Sequence, residues 1–180
     1  MRIICKLILR MIGWRIAGNT DYPAKCVICV APHTSNFDLF VGLLVYTAMG
    51  RRSYFFIKKD WFFFPMNLIF RWLGGIPVDR SKKTSLTEQV AEEFKKRDKF
   101  QIAITPEATR KPNAEWKRGF YFIAVAAEVP IVIASIDYKR KVVDFMDTFY
   151  PTGDADKDIE TIKSYYTDVT AKHPERFTLY

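Results

Sequence analysis

Two apolar stretches, residues 26–31 and 39–45, stand on either side of Pro32-His33-Thr34-Ser35-Asn36-Phe37-Asp38. The first has the length and continuous apolar character of a buried strand. The second predicts a helix that opens near Ser35 or Asn36. Strand, tight turn and helix in that order form a building unit of an α/β domain. The unit places His33 at a strand end. It places Asp38 in the first helical turn, where the helix dipole favours an anion. A carboxylate beside an imidazole fixes its tautomer and raises its basicity. Such a pair can take a proton from an alcohol or a thiol. A plainer reading is also open, with Asp38 stabilising the helix start and His33 filling a turn.

The same alternation continues along the chain. Phe55 and Ile57 alternate like a strand, and residues 85–96 carry a helical stripe at Leu86, Val90 and Phe94. Residues 101–104 form a strand that runs into Thr105-Pro106-Glu107-Ala108-Thr109-Arg110. A helix follows over residues 120–128, and residues 129–136 read as a buried strand. Residues 150–180 hold an acidic and then basic helical segment. His173, the second of two histidines, sits there as a helix-end residue. The pattern predicts a single α/β domain with a mixed, mostly parallel sheet flanked by helices.

The chain has 180 residues, enough for one domain with a real core, and its 49% hydrophobic content argues against disorder. A net charge of +8 favours an anionic partner: nucleic acid, anionic lipid or an acidic carrier. The basic residues are spread along the chain and no recognised nucleic-acid module is visible, so no nucleic acid is expected. Cys26 and Cys29 lie three apart in a strand-like run, on opposite faces, and are expected as buried thiols with no metal. With Cys5 they make an odd number, which fits a reducing compartment. The longest uncharged runs, 26–37 and 39–50, hold twelve residues each. A membrane-spanning helix needs about 20. The N-terminus lacks a convincing signal-peptide pattern. A peripheral location on the cytoplasmic side of a membrane is expected.

Two segments suit a lipid surface. Residues 1–16 predict an amphipathic helix with Arg2, Lys6 and Arg10 in one stripe and Ile3, Ile4, Leu7, Ile8, Met11 and Ile12 around the rest. Such a helix can lie in the interface of a membrane rich in anionic lipids, or pack on the domain with its charges in water. Residues 54–73 mix aromatics with lysine and arginine, as interfaces do. Part of that run must be core, and Phe62 to Phe64 exceed what one buried face needs.

Arg80, Arg110 and Lys117 each follow a strand or sit in a loop beside one. In α/β domains strand ends form the ligand crevice, and arginine's forked donors suit phosphate. Taken together, the motifs resemble the lysophosphatidic acid (PlsC-type glycerolipid) acyltransferase family in four ordered blocks. These are the His33/Asp38 spacing, Gly75-Ile76-Pro77-Val78-Asp79-Arg80, Pro106-Glu107-Ala108-Thr109-Arg110, and Val129-Pro130-Ile131-Val132. The resemblance spans roughly residues 26–140.

It implies a glycerolipid-acyltransferase-like fold; with the amphipathic pattern, residues 1–18 are expected as a membrane-surface helix and 19–180 as the acyltransferase domain. It implies transfer of an acyl group from acyl-CoA or acyl carrier protein, as co-substrate and without a further cofactor, to a hydroxyl of a lipid acceptor. His33 would be the general base and Asp38 its orienting carboxylate. Glu107, Thr109 and Arg110 would bind the acceptor's polar head, assisted by Arg80 and Lys117. Backbone amides near residues 74–77 are candidates for the oxyanion donors. Ala108 stands where the family usually has glycine; if that position needs positive φ, alanine is strained. Two other readings stay open. One is a thioester or lipid hydrolase using Ser35, although no GxSxG elbow is present. The other is a non-enzymatic lipid-binding protein.

Overall fold

A computed structural model of the chain describes residues 1–78 and 86–180. It begins with helix α1 (Arg2–Met11), strand β1 (Arg15–Gly18), strand β2 (Lys25–Ala31) and helix α2 (Phe37–Met49). Strand β3 (Phe55–Lys58), helix α3 (Met66–Leu73) and strand β4 (Gly75–Val78) follow. Beyond them come α4 (Leu86–Lys96), β5 (Phe100–Ile104), α5 (Gly119–Ala127), β6 (Ile131–Asp137), β7 (Val142–Phe149) and α6 (Ala155–Ser164). Short 3-10 turns occupy Lys59–Trp61 and Pro174–Arg176.

The main sheet has the order β1-β7-β6-β2-β5. β2 pairs in parallel with both β5 and β6, β1 pairs in parallel with β7, and β6 meets β7 antiparallel. The sheet is therefore mixed and mostly parallel, with helices on both faces. Period-two alternation along β2 explains how. Val27, Cys29 and Ala31 pack under α4, α5 and α6, with Phe94, Phe120 and Ile162. Cys26 and Ile28 point to the other face, under α1 and α2, with Leu9, Val41 and Val45. A strand covered on both faces has no polar side to show, which is why the run lacks alternation in sequence. The two thiols are thus free and buried on opposite faces. Burial pushes the Cys26 thiol up to about 12 and raises that of Cys29 as well.

The N-terminal helix is shorter than its sequence pattern predicts. It ends at Met11 rather than near residue 16, and Arg15–Gly18 is the edge strand β1. Gly13 takes φ +78°, a turn that glycine allows without strain. Trp14 then buries itself edge-on against Tyr138, with ring centroids 5.1 Å apart. Tertiary packing of that tryptophan and pairing with β7 override the helical periodicity. α1 itself buries Cys5 and Leu9 against the domain and exposes Ile3, Leu7 and Met11.

β3 and β4 form a small parallel pair beside the main sheet. Tyr54 joins the two: its N–H donates to Gln101 O at 2.7 Å, and its carbonyl accepts from Ala103 N–H at 2.8 Å. The aromatic run around this unit divides one residue later than expected. Phe55 and Phe56 are half-buried in β3, and Phe62 is half-buried too, its ring centroid 5.8 Å from that of Phe70, whereas Phe63 and Phe64 are 55% and 79% exposed. No helix among the described residues is long and apolar enough to cross a membrane.

Candidate active site

β2, β5 and β6 run the same way, so their carboxyl ends lie along one edge of the sheet. That edge is where α/β domains form a crevice. His33 follows β2, the loop 105–110 follows β5, and Tyr138 follows β6.

The turn after β2 folds around one carboxylate. Asp38 Oδ2 accepts from His33 Nδ1 at 3.0 Å, from Thr34 N–H at 3.0 Å and from Ser35 N–H at 2.9 Å. Its Oδ1 accepts from the Tyr138 hydroxyl at 2.6 Å. An ionised carboxylate only accepts, so it assigns the proton of neutral His33 to Nδ1 and leaves Nε2 as a lone pair. The Asp38 side chain is 4% exposed and that of His33 is 23% exposed, on the wall of the cleft. Burial alone would raise the Asp38 carboxyl; the hydrogen bonds from His33, Tyr138 and Ser35 outweigh it and hold the group below its ordinary value. Burial, then the bond to Asp38, raises the Tyr138 hydroxyl.

The cleft beside His33 is open and large, about 1590 Å³. Ile28, Val45, Tyr46 and Phe145 line its floor between α2 and the sheet, while Phe55, Ile57 and Trp61 form a second apolar wall. Thr109 and Arg110 line it too, and the Arg110 guanidinium donates to Asn36 Oδ1 at the start of α2. These two residues therefore line the same cleft as His33 and Asp38.

The remaining expected ligands part company with them. Glu107 does not line the cleft. It is 4% exposed, and its Oε1 accepts the His33 backbone N–H at 2.8 Å from beneath. Among the described residues its Oε2 has no hydrogen-bond partner, and burial raises its carboxyl above the ordinary value. Its place is to hold the His33 backbone rather than a bound head group. Lys117 is exposed and off the cleft; its backbone N–H donates to Pro106 O at 2.8 Å and pins the loop. Arg80 lies outside the described residues. Residues 74–77, the expected oxyanion donors, are not among the residues lining the cleft; 75–77 form β4 beside β3, and Pro77 has no N–H to donate. Ser35 Oγ accepts from Phe37 N–H at 3.2 Å, so its hydroxyl caps the start of α2.

Three residues here escaped the sequence reading. Tyr138 directly follows a predicted buried strand, and the strand-end rule could have singled it out. His173 does begin a short helical turn, as a helix-end residue, yet it also lines the cleft, as does Arg176. No local pattern marks that return of the chain.

Ala108 adopts φ +53°, within a turn closed by its own N–H on Thr105 O at 3.2 Å. The left-handed region costs a residue with Cβ about 1–2 kcal/mol. Part of that is offset in a glycine variant by the greater freedom of the unfolded chain. Ala108→Gly should therefore stabilise the protein by about 1 kcal/mol, seen as a rise of roughly 2–4 °C in a thermal melt. An unchanged or lower midpoint would remove the strain argument.

Comparisons with known proteins give the family and the fold. The family model described as Acyltransferase matches residues 14–137, which is more than half of the chain. Human 1-acyl-sn-glycerol-3-phosphate acyltransferase beta is 32% identical over 114 residues, covering 59% of this chain. The match spans 39% of that relative's own length. The fold is also similar to the crystal structure of the 1-acyl-sn-glycerophosphate (LPA) acyltransferase PlsC from Thermotoga maritima, with a TM-score of 0.60 and 17% identity. That likeness covers 94% of this chain and 80% of that one. The family match takes in both the His33–Asp38 turn and the loop that carries Arg110, and the chain belongs to the acyltransferase family.

Proposed function

We propose that this protein transfers a fatty acyl group from an acyl thioester to a hydroxyl of a lysophospholipid or a related lipid acceptor. The observation that carries the reading is the His33–Asp38 pair, held at 3.0 Å at the mouth of an apolar cleft. His33 Nε2 accepts the proton of the acceptor hydroxyl as its oxygen attacks the thioester carbonyl. The tetrahedral intermediate collapses, the C–S bond breaks, and the imidazolium returns the proton to the departing thiolate. Asp38 stabilises the charged ring throughout. No acyl-enzyme is needed. The names of the human and bacterial relatives, both acyltransferases acting on 1-acylglycerol phosphates, support the acceptor class. The donors, acyl-CoA or acyl carrier protein, are anionic, and a net charge of +8 steers such partners inward.

The test is an assay with radiolabelled acyl thioester against lysophospholipids, glycerol phosphate and amino-acid lipids. Labelled acylated lipid with wild type, and at least about a hundredfold less with His33→Ala, is the expected result. Release of free fatty acid with every acceptor would favour a hydrolase.

The same reading places the protein on a membrane surface. Ile3, Leu7 and Met11 of α1 are 73%, 55% and 85% exposed on the side opposite Cys5 and Leu9, with Arg2, Lys6 and Arg10 alongside. Phe64 and Trp72 are exposed as well. Burying one large aliphatic side chain is worth about 1.5–3 kcal/mol. The Leu7→Glu/Met11→Glu variant should bind anionic vesicles at least tenfold more weakly in a flotation assay. Equal flotation of variant and wild type would contradict attachment through α1.

A further inference from the structure

The chain beyond α6 lies outside the family match, which ends at residue 137, yet it forms part of the cleft wall. Three contacts seat it there. The Tyr138 N–H donates to Thr170 O at 2.9 Å. The His173 N–H donates to the hydroxyl oxygen of Thr34 at 3.2 Å. The Lys172 ammonium lies 3.5 Å from the centroid of the Phe37 ring. Thr34 is buried and follows His33 directly, so this strap is tied to the turn that carries the imidazole. The Pro174–Arg176 turn then brings Arg176 onto the lining beside His173.

The charge balance of the cleft is one-sided. Among the described lining residues the sole carboxylate is Asp38, and it is buried and engaged by His33. Lys58, Arg110, Lys111 and Arg176 are all cationic. Lys58 is paired with Asp60 at 2.5 Å. Arg176 Nε lies 3.5 Å from Glu175 Oε1, and His173 Nδ1 lies 3.6 Å from the same oxygen. That contact is a single exposed one between neighbours, which is weak, and it leaves most of the guanidinium's five donors available. Cations gathered in one cleft repel each other and focus a field that an anion relieves. A guanidinium matches phosphate oxygens in pairs.

The geometry points to a phosphate-ester subsite in which Arg176, carried by the C-terminal strap, works with Arg110 and Lys111 to hold a substrate phosphate. The inference rests on the acyl-transfer reading for its choice of ligand. The phosphate belongs either to the acceptor, as a glycerol phosphate monoester, or to the donor, through coenzyme A or phosphopantetheine.

Steady-state kinetics on the full chain separate these sources. Arg176→Ala should raise KM for a phosphate-bearing substrate about tenfold or more, with kcat falling far less, and should relieve inhibition by inorganic pyrophosphate. Arg176→Lys should recover part of the loss. Glu175→Gln, which frees the guanidinium, should lower the same KM. Repeating the assay with monoacylglycerol as acceptor, or with an acyl-N-acetylcysteamine thioester as donor, removes the acceptor's phosphate or the donor's phosphates in turn. The KM penalty disappears with whichever replacement removes the phosphate that Arg176 holds. If both KM values and pyrophosphate inhibition stay within twofold of wild type in Arg176→Ala, with an unchanged melting curve, the subsite does not exist. Absence of turnover in wild type would count against acyl transfer instead. Calorimetric titration of wild type and Arg176→Ala with pyrophosphate would then decide the subsite, weaker binding by the variant supporting it and equal binding overturning it.

Discussion

Replacing His33 with alanine is expected to lower kcat by about 10²–10⁴-fold, the contribution of a positioned general base, or roughly 3–5 kcal/mol of barrier. The protein should stay folded. The His33 side chain is partly exposed, and the backbone N–H that Glu107 accepts is kept in the variant. KM for both substrates should change little, because the lost interaction is made only as the proton moves. Activity of His33→Ala within a few fold of wild type, measured by single-turnover transfer of labelled acyl group, would be fatal to the mechanism.

The second large effect is expected from Asp38→Asn, at about 10²–10³-fold in kcat. The amide oxygen can still accept from His33 Nδ1, Thr34 N–H and Ser35 N–H, so the turn survives. The negative charge that stabilises the imidazolium is lost. The amide nitrogen then meets the Tyr138 hydroxyl, which can rotate to accept. Because the two residues act as a unit, His33→Ala/Asp38→Asn should be no slower than His33→Ala alone. A double variant slower than the single one by the full Asp38 factor would mean that Asp38 acts independently of the ring.

Asp38 also makes an acid-stability prediction of definite sign. Its folded-state carboxyl sits below the ordinary value, near 3.9 in an unfolded chain. A group lowered on folding contributes stability above the unfolded value and loses it as pH falls through the folded one. Wild type should therefore lose stability on acidification below about pH 4, and Asp38→Asn should show a shallower loss in the same window. Glu107 works the other way. Raised on folding, it favours its protonated form, so its contribution is present at low pH and fades as pH rises through its folded value.

Much of this protein was legible in the chain itself. The strand, turn and helix around His33 are local, and a five-residue spacing is short enough for the turn to close on its own N–H groups. The buried strands announced themselves as continuous apolar runs, and the positions of Cys26 and Cys29 on opposite faces followed from the two-residue period of a strand. The positive φ that Ala108 bears was likewise foreseeable from a turn where glycine is usual. What only the tertiary structure decided depends on contacts far apart in sequence. Tyr138 reaches Asp38 across 100 positions, Glu107 reaches the His33 backbone across 74, and His173 reaches Thr34 across 139. Local periodicity carries no information about such separations. They are set by strand order, which brings the ends of β2, β5 and β6 to one edge and lets the last turn of the chain fold back onto it. The same rule shortened α1: its first turns follow their own pattern, but Trp14 and β1 obey partners in the distant segment from Tyr138 to β7.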